Sequence, residues 1–367
     1  MQNIALVHDY LSEYGGAERV METLSEMFPK APIYTAFAVK GSSAWNHFKT
    51  KTIIESPFAP LLKWKKLYSP LRFLAPWIWE SFDFSDYDTV ISSASWYITK
   101  GIVTPPKTKH ICYCHTPPRF LYGYPTAVEW QRYWPVRVYA TVVNNFLRRY
   151  DFAAAQRVTQ FVVNSKNVES RVKKFYKRPS LVVYPPINTK EISLKAKGVK
   201  KKNYYLIVSR VVGAKGIDMA MEAANKLHFP LKIVGETAGL RWEEGRFKKL
   251  IGDTVEFVGR KSDDELWKLY AGAKAFLALA QDEDFGMTVI EAQAAGTPVI
   301  AYYGGGYKET VIEGKTGRFF HDYSVDGLIK AIKQSKNDNY KKEDLLKQAG
   351  KFAKENFVKQ ITALVTS

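Results

Sequence analysis

The chain has 367 residues, with 54 Lys and Arg against 36 Asp and Glu, for a formal net charge of +18. This length favours two domains of ordinary size over one compact core. No run of eighteen apolar residues is present and residues 1–10 lack the sections of a signal peptide, so we expect a cytoplasmic protein without a membrane-spanning helix.

The charge is uneven along the chain. Residues 1–190 contain 25 Lys and Arg against 13 Asp and Glu (net +12), whereas residues 191–367 contain 29 against 23 (net +6). A basic first half favours an acidic partner, and both nucleic acid and an anionic membrane surface have that character.

The first thirty residues predict a strand, a glycine loop and a helix. "NIALV" is a short apolar run, "SEYGGAE" is the loop, and apolar residues from Val20 to Phe28 then recur at helical spacing. Gly15 and Gly16 stand just before the predicted helix start, where free backbone N–H groups attract phosphate. The loop therefore predicts a phosphate contact from the first half of the chain.

Residues 58–82, "FAPLLKWKKLYSPLRFLAPWIWESF", mix lysine and arginine with tryptophan and tyrosine. This mixture suits a lipid headgroup region, where aromatic rings anchor and cations meet phosphate. It equally suits a solvated basic loop whose aromatic rings pack inward, because Pro70 and Pro76 interrupt any single amphipathic helix.

The two cysteines, Cys112 and Cys114, lie in "HICYCHTPPRF", where a strand would place both on one face. We predict free thiols rather than a disulfide. His110 and His115 flank the two cysteines, but no second ligand pair elsewhere completes a tetrahedral site, so we predict no metal.

From residue 160 onward strands and helices alternate. "QFVVNS" reads as a strand, Ser165 as a helix cap, and "SLVVYPPIN" as a further strand, before a basic run that we assign to a linker between about residues 185 and 203. The second half then alternates in a regular way, with "YYLIV", "LKIVG", "VEFVG", "AFLALA" and "PVIAY" as strands and helices between them, one around "RFKKLI". This pattern predicts an α/β fold with parallel sheets.

The stretch "QDEDFGMTVIEAQAAGTPVIA" contains Glu283 and Glu291. A buried strand precedes it, so Glu283 falls on the loop at the strand end and Glu291 about one turn into the following helix. The helix start attracts phosphate and carboxylates accept hydrogen bonds from hydroxyls, so the stretch fits a sugar nucleotide. The alternative is that both glutamates are solvated surface acids.

Two cations and a glycine run support the ligand. Arg210 and Lys215 follow the strand "YYLIV", and a departing diphosphate needs such charges. The run Gly304–Gly306 follows another strand and would let backbone approach a ligand closely.

Together these motifs resemble the retaining glycosyltransferases of family 4, which have the GT-B fold of two Rossmann-like domains facing across a cleft. The resemblance covers nearly the whole chain, and its most specific part is the E-x7-E pair Glu283 and Glu291. Supporting parts are "GGAERV", "YCHTPPRFLYG", "VVNSKNVESRVKKFY", "SRVVGAKG" and "GGGYKETVIEGKTGRFF". Several of these motifs look most like bacterial O-antigen and exopolysaccharide enzymes, many of them mannosyltransferases.

The resemblance implies an acceptor-binding domain over 1–184, a nucleotide-sugar domain over 203–345 and a helical tail over 346–367 that could pack back on the first domain. It also implies a role for each matching residue. Glu291 would hold the ribose and Glu283 the sugar, while Arg210 and Lys215 would neutralise the diphosphate and His115 would reach the sugar near its anomeric carbon. The remaining donor contacts would come from Gly15, Gly16, Arg260, Lys261, Phe285, Gly286 and Met287.

The implied reaction moves a sugar, with mannose from GDP-mannose favoured and a UDP-sugar as the alternative, to a glycan or polyprenyl-diphosphate-linked acceptor. We expect retention of configuration, no cofactor, no metal, no nucleic acid, and a peripheral position on an anionic inner membrane face. The alternative from another class is a non-catalytic basic protein that binds membrane or nucleic acid. That alternative explains the charge but not the grouping of Glu283, Glu291, Arg210 and Lys215 at predicted strand ends.

Overall fold

The structure is a computed structural model and describes residues 2–64, 67–126, 134–236, 245, 247 and 250–366. The chain divides into two compact units, Met1–Pro186 with Val358–Ser367, and Ile187–Phe357. The division thus falls two residues after the predicted end of the first domain, and the last ten residues group with the first unit. None of the described helices has the length and apolar content needed to cross a bilayer.

The first unit is built on a seven-stranded parallel sheet with the order β3-β2-β1-β4-β5-β6-β7. Its strands are β1 Ile4–His8, β2 Ile33–Thr35, β3 Ile53–Glu55, β4 Thr89–Ala94, β5 Lys109–Cys114, β6 Gln160–Val163 and β7 Leu181–Val182. Its helices are α1 Gly16–Met27, α2 Ser43–Phe48, α3 Ala59–Lys63, α4 Ala75–Glu80, α5 Trp134–Arg157 and α6 Lys166–Tyr176.

The second unit has a six-stranded parallel sheet with the order β10-β9-β8-β11-β12-β13. Its strands are β8 Tyr205–Val208, β9 Leu231–Val234, β10 Val255–Gly259, β11 Ala275–Ala278, β12 Val299–Tyr302 and β13 Gly317–Phe320. Its helices are α7 Thr189–Lys195, α8 Ile217–Leu227, α9 Asp263–Gly272, α10 Met287–Ala294, α11 Tyr307–Thr310, α12 Val325–Ser335 and α13 Lys342–Gly350. The last helix, α14 Lys354–Thr366, begins in this unit and ends in the first.

Local sequence explains several helix starts. The hydroxyl of Ser165 accepts the amide of Val168 at the start of α6, as predicted. Ser262 and Glu265 form a capping box at the start of α9, in which each side chain bonds to the backbone of the other residue. These caps bind amide groups that the first helical turn leaves without partners.

The structure corrects the predicted linker and adds strands. The predicted linker, residues 185–203, contains helix α7, in which Ile192 is buried. The strands β2, β3 and β13 have three or four residues and had no clear alternating pattern. The helix predicted around "RFKKLI", residues 246–251, lies largely outside the described residues.

Candidate active site

Each sheet has one point at which the strand order changes direction. It lies between β1 and β4 in the first sheet and between β8 and β11 in the second. Ligands of open parallel sheets bind beyond the carboxyl ends of the strands at such a point. The candidate groups of each unit are therefore those at the ends of these four strands.

In the second unit, Lys215 and Glu283 meet at this point. Lys215 ends a short turn after β8, and Glu283 lies on the loop between β11 and α10. The Nζ of Lys215 donates to Oε2 of Glu283 at 2.7 Å, and the hydroxyl of Tyr307 lies 3.3 Å from the same oxygen. Burial, and then the Glu283 charge, raise the pKa of Tyr307 well above its usual value, so the phenol stays a hydrogen-bond donor. The structure thus brings together one predicted cation and one predicted carboxylate.

The glycine run 304–306 packs against the loop that carries Glu283. A Cβ atom on Gly305 would lie 2.2 Å from the carbonyl oxygen of Glu283, and one on Gly306 would lie 2.5 Å from the Cα of Phe285. The amide of Gly306 also donates to the carbonyl oxygen of Glu283 at 2.8 Å. We predicted that these glycines let the backbone approach a ligand closely. In the structure they let the backbone of the Glu283 loop approach closely.

Gly286 precedes α10 in a left-handed conformation, with φ of +93°. A Cβ atom there would lie 2.8 Å from the ring of Tyr307. Glycine is therefore required at this position by its backbone conformation and by the lack of space for a side chain. The N-cap residue, Gly286, has no side chain that could cap the start of α10. The positive end of the α10 dipole lies next to Glu283, which is the arrangement that attracts an anion.

Glu291 lies in the fifth position of α10 and is buried, rather than on the helix surface. Its Oε2 accepts a hydrogen bond from the hydroxyl of Tyr270 at 2.9 Å. Tyr270, on α9, therefore holds the Glu291 carboxylate in one orientation.

The other predicted donor contacts of the second unit differ in exposure. Arg210 is exposed after β8, and its guanidinium has no hydrogen bond or ion pair within the part of the chain that the structure describes. Arg260 is exposed after β10, and Lys261 forms an ion pair with Glu265 at 3.5 Å. The Phe285 side chain packs in the interior, with its ring edge-to-face on Phe352. Met287, the first residue of α10, is partly buried.

In the first unit, the glycine loop already has an anionic partner. The amide of Gly15 donates to Oε2 of Glu18 at 2.9 Å, and Gly16 begins helix α1. Glu18 thus satisfies one of the amide groups that we predicted for a phosphate. Gly15 and Gly16 stay predicted donor contacts, with the difference that Glu18 occupies the Gly15 amide in this structure.

His115 follows β5 and is buried. Its Nε2 lies 2.8 Å from the hydroxyl of Ser93 on β4, and the same hydroxyl lies 3.1 Å from Nδ1 of His8 on β1. The Nε2 of His8 lies 3.2 Å from Oε1 of Glu18. The predicted sugar-contacting histidine is therefore connected by hydrogen bonds to the glycine loop.

The cysteines are free, buried and on one face of β5, as predicted. Burial raises the pKa of the Cys112 thiol to about 12. His110 binds Ser92 rather than His115, and burial first, then Arg157 and Lys100, lowers its pKa to about 3. Among the described residues, no group of three His, Cys, Asp or Glu side chains could hold a metal ion.

The segment 58–82 has features of both interpretations, the lipid headgroup contact and the basic loop whose aromatic rings pack inward. Trp79 is fully buried and Tyr68 packs on the core, whereas Trp64 and Trp77 are exposed. Lys65 and Lys66 lie outside the described residues. Part of this segment therefore packs inward, and Trp64 and Trp77 face solvent.

Sequence reasoning did not identify five polar partners of the candidate residues. They are His8, Glu18 and Ser93 in the first unit, and Tyr270 and Tyr307 in the second. His8 and Ser93 lie near the carboxyl ends of β1 and β4, which the alternation of strands could have indicated once the sheet order was known. Glu18 had a local signal, because an acid three residues after a loop glycine forms a capping box. The two tyrosines are brought in by tertiary packing alone.

Two family models match the chain, one to each half. The model described as glycosyltransferase family 4 matches residues 14–191, and the model described as glycosyl transferases group 1 matches residues 188–355. The chain belongs to glycosyltransferase family 4. Its two parallel sheets and its structural neighbours identify the family's GT-B fold, with two Rossmann-like domains.

Curated relatives share part of this glycosyltransferase chain. An uncharacterized glycosyltransferase of Methanocaldococcus jannaschii is 29% identical over 59% of the chain and 60% of its own length. Sulfoquinovosyl transferase of Arabidopsis thaliana is 26% identical over 45% of the chain and 33% of its own length. Glycogen synthase of Mycobacterium tuberculosis is 33% identical over 36% of the chain and 34% of its own length. The matches thus span from about a third to three-fifths of these relatives.

Solved structures match the glycosyltransferase over its full length. Sucrose-phosphate synthase from Thermosynechococcus elongatus has a TM-score of 0.74 at 19% identity and covers 100% of this chain and 98% of its own. Anabaena HepE in complex with UDP-glucose has a TM-score of 0.71 at 17% identity and covers 99% of both chains. At these identities the likeness establishes the fold.

Proposed function

We propose that this glycosyltransferase is a retaining hexosyltransferase that needs no metal ion and uses a nucleotide-sugar donor. The observation that carries the proposal is the contact between Lys215 and Glu283 at the point where the strand order of the second sheet changes direction. A cation for a diphosphate and a carboxylate for sugar hydroxyls are thereby adjacent. The start of α10, with the positive end of its helix dipole, lies beside them.

In the proposed reaction the bond between the anomeric carbon and the diphosphate oxygen breaks, and the acceptor oxygen forms its bond on the same face of the sugar. The departing phosphate oxygen takes the acceptor proton. Lys215, Arg210 and the α10 amides would stabilise the negative charge that develops on the diphosphate. An ammonium group has three donors, so Lys215 can bind a phosphate oxygen while it keeps Glu283.

The donor proposal keeps GDP-mannose as first choice, on the motif resemblance, and a UDP-sugar as the alternative. HepE, which shares the fold, was solved with UDP-glucose, and this supports a nucleotide-sugar donor. We further propose a glycan or polyprenyl-diphosphate-linked acceptor.

We also propose that the enzyme works at an anionic membrane face. The support is a row of exposed apolar side chains on α5, called here the α5 stripe: Trp134, Val138, Val142 and Phe146. Their spacing of four residues places them along one side of the helix. The exposed ring of Trp77 stacks on Phe146, which extends the row onto α4.

The charges on α5 favour an anionic surface. The helix has four arginines and a single acid, Asp151, which is buried against Lys100. Exposed Arg137 and Arg149 thus accompany the α5 stripe without an exposed acid on the helix. Apolar side chains flanked by arginines are typical of helices that lie in the headgroup region.

The test of the donor proposal is a calorimetric panel of GDP, UDP, ADP and their sugar conjugates, with Mg²⁺ and with chelator. We expect binding of one base that is insensitive to chelator, and transfer from that donor with the α or β configuration of the donor preserved in the product by NMR. Inversion of configuration, or transfer that stops in chelator, would contradict the proposal.

A further inference from the structure

Four side chains of the first unit form one continuous line of hydrogen bonds. Oε1 of Glu18 lies 3.2 Å from Nε2 of His8, and Nδ1 of His8 lies 3.1 Å from Oγ of Ser93. Oγ of Ser93 lies 2.8 Å from Nε2 of His115. The line joins α1, β1, β4 and the end of β5, and His8, Ser93 and His115 are all buried.

The glutamate end of the line has a defined proton state. Burial raises the pKa of Glu18, but the hydrogen bond and charge of His8 and the bonds from backbone amides, that of Gly15 included, bring it below its usual value. Glu18 is therefore a carboxylate near neutral pH, and a carboxylate only accepts hydrogen bonds. Consequently Nε2 of His8 carries a proton.

The proton on Ser93 then decides the state of His115, because a hydroxyl donates one hydrogen bond. When His8 is neutral, its Nδ1 has no proton and accepts from Ser93, so Nε2 of His115 must donate to Ser93. When His8 is charged, its Nδ1 donates to Ser93, and Ser93 turns to donate to Nε2 of His115. Neutral His115 therefore carries its proton on Nε2 in the first case and on Nδ1 in the second.

We propose that Glu18, His8 and Ser93 are positioning residues that select the tautomer of His115. With neutral His8, Nδ1 is the acceptor nitrogen of the His115 ring, and with charged His8 it carries the proton. The use of this selection in catalysis rests on the proposed function and on the sugar contact that the family resemblance implies for His115. The selection itself is a property of the four side chains.

The substitution Glu18→Gln gives the sharpest test, since it keeps the shape of the side chain. The amide of Gly15 donates to Oε2 of Glu18, so the oxygen of the introduced glutamine stays on Gly15 and its amino group turns to His8. Nε2 of His8 then accepts, its Nδ1 donates to Ser93, and Ser93 donates to His115. We expect neutral His115 to change from the Nε2–H to the Nδ1–H tautomer.

The measurement is long-range ¹H–¹⁵N NMR of protein labelled at its six histidines, at a pH where the His8 signals show a neutral ring. Replacing Ser93 by Ala in the Glu18→Gln background should abolish the reversal. The matched control is Ser92→Ala, at the position of β4 next to Ser93. It removes an equivalent buried serine–histidine bond, from Ser92 to His110 on β5. It should shift the His110 signals and leave His115 unchanged.

Two results would overturn the proposal. One is an unchanged His115 tautomer in folded Glu18→Gln, and the other is a wild-type His115 with its proton on Nδ1 beside a neutral His8. Activity is a separate measurement. We expect kcat/KM for the donor to fall about tenfold in Glu18→Gln and to change little in Ser92→Ala. If no nucleotide sugar is a donor, the proposed function fails while the NMR result still decides the tautomer.

Discussion

At the scale of single residues, the two glutamates of the E-x7-E pair occupy different environments. Glu283 is partly exposed on a loop beside Lys215, whereas Glu291 is buried and held by Tyr270. The sequence spacing predicted both residues as ligands of one sugar nucleotide. On the basis of these environments we propose separate roles, with the sugar hydroxyls at Glu283 and the ribose at Glu291.

We predict that Glu291→Gln weakens binding of both the free nucleoside diphosphate and the donor, whereas Glu283→Gln weakens only the donor. Glutamine keeps an acceptor for Tyr270, so the buried hydroxyl is not left unpaired. Loss of a hydrogen bond to a charged group costs about ten- to a hundredfold in affinity. Isothermal titration calorimetry measures both ligands, with Glu256→Gln, which removes a surface ion pair to Lys232, as the control. Equal weakening of both ligands by both substitutions would rule out separate roles.

The sequence identified Glu283, Arg210 and Lys215 because each stands near a predicted strand end, and Glu291 because it lies in the helix that follows. His115 was identified through the family resemblance. The sequence did not identify His8, Ser93 or Tyr307, because their importance depends on which strands are neighbours in the sheet. His8 and Ser93 are 85 residues apart in the chain and directly paired in register between β1 and β4. No local pattern encodes that pairing.

At the scale of elements, the alternation of strands and helices was predictable because buried parallel strands are short apolar runs between amphipathic helices. Strands of three residues, such as β2 and β3, are too short to show a period. Helix α7 was hidden in a basic run, because only one of its seven residues, Ile192, is a buried apolar side chain.

The glycine run 304–306 gives a prediction at the scale of elements. Gly305 and Gly314 both have positive φ, +51° and +74°, but only Gly305 lies against other backbone. We expect Gly314→Ala to cost about 1 kcal/mol in free energy of unfolding, from its backbone conformation. Gly305→Ala should cost at least about 2 kcal/mol more, because its Cβ overlaps the Glu283 backbone. Urea denaturation followed by circular dichroism measures the two variants, and equal losses would show that the loop adjusts freely.

At the scale of the whole molecule, the charge of +18 and the α5 stripe support the same proposed partner. The substitutions Val142→Ser and Phe146→Ser together should lower binding to vesicles of phosphatidylcholine and phosphatidylglycerol by about tenfold or more. The control is Leu194→Ser on α7, whose side chain is 70% exposed, compared with 67% for Val142. Vesicle sedimentation at two salt concentrations measures the change. Equal binding of all three proteins would exclude the α5 stripe as the contact.

The state of the thiols has a practical consequence for such measurements. The chain has two cysteines, both free and buried, and the raised pKa of Cys112 keeps that thiol protonated. Thiol reagents attack the thiolate, so the folded wild-type chain should resist maleimide labelling. A single cysteine introduced at Val142 would then accept a fluorescent or spin label selectively, with both native cysteines left in place. The depth of α5 in a bilayer could be read from that one probe.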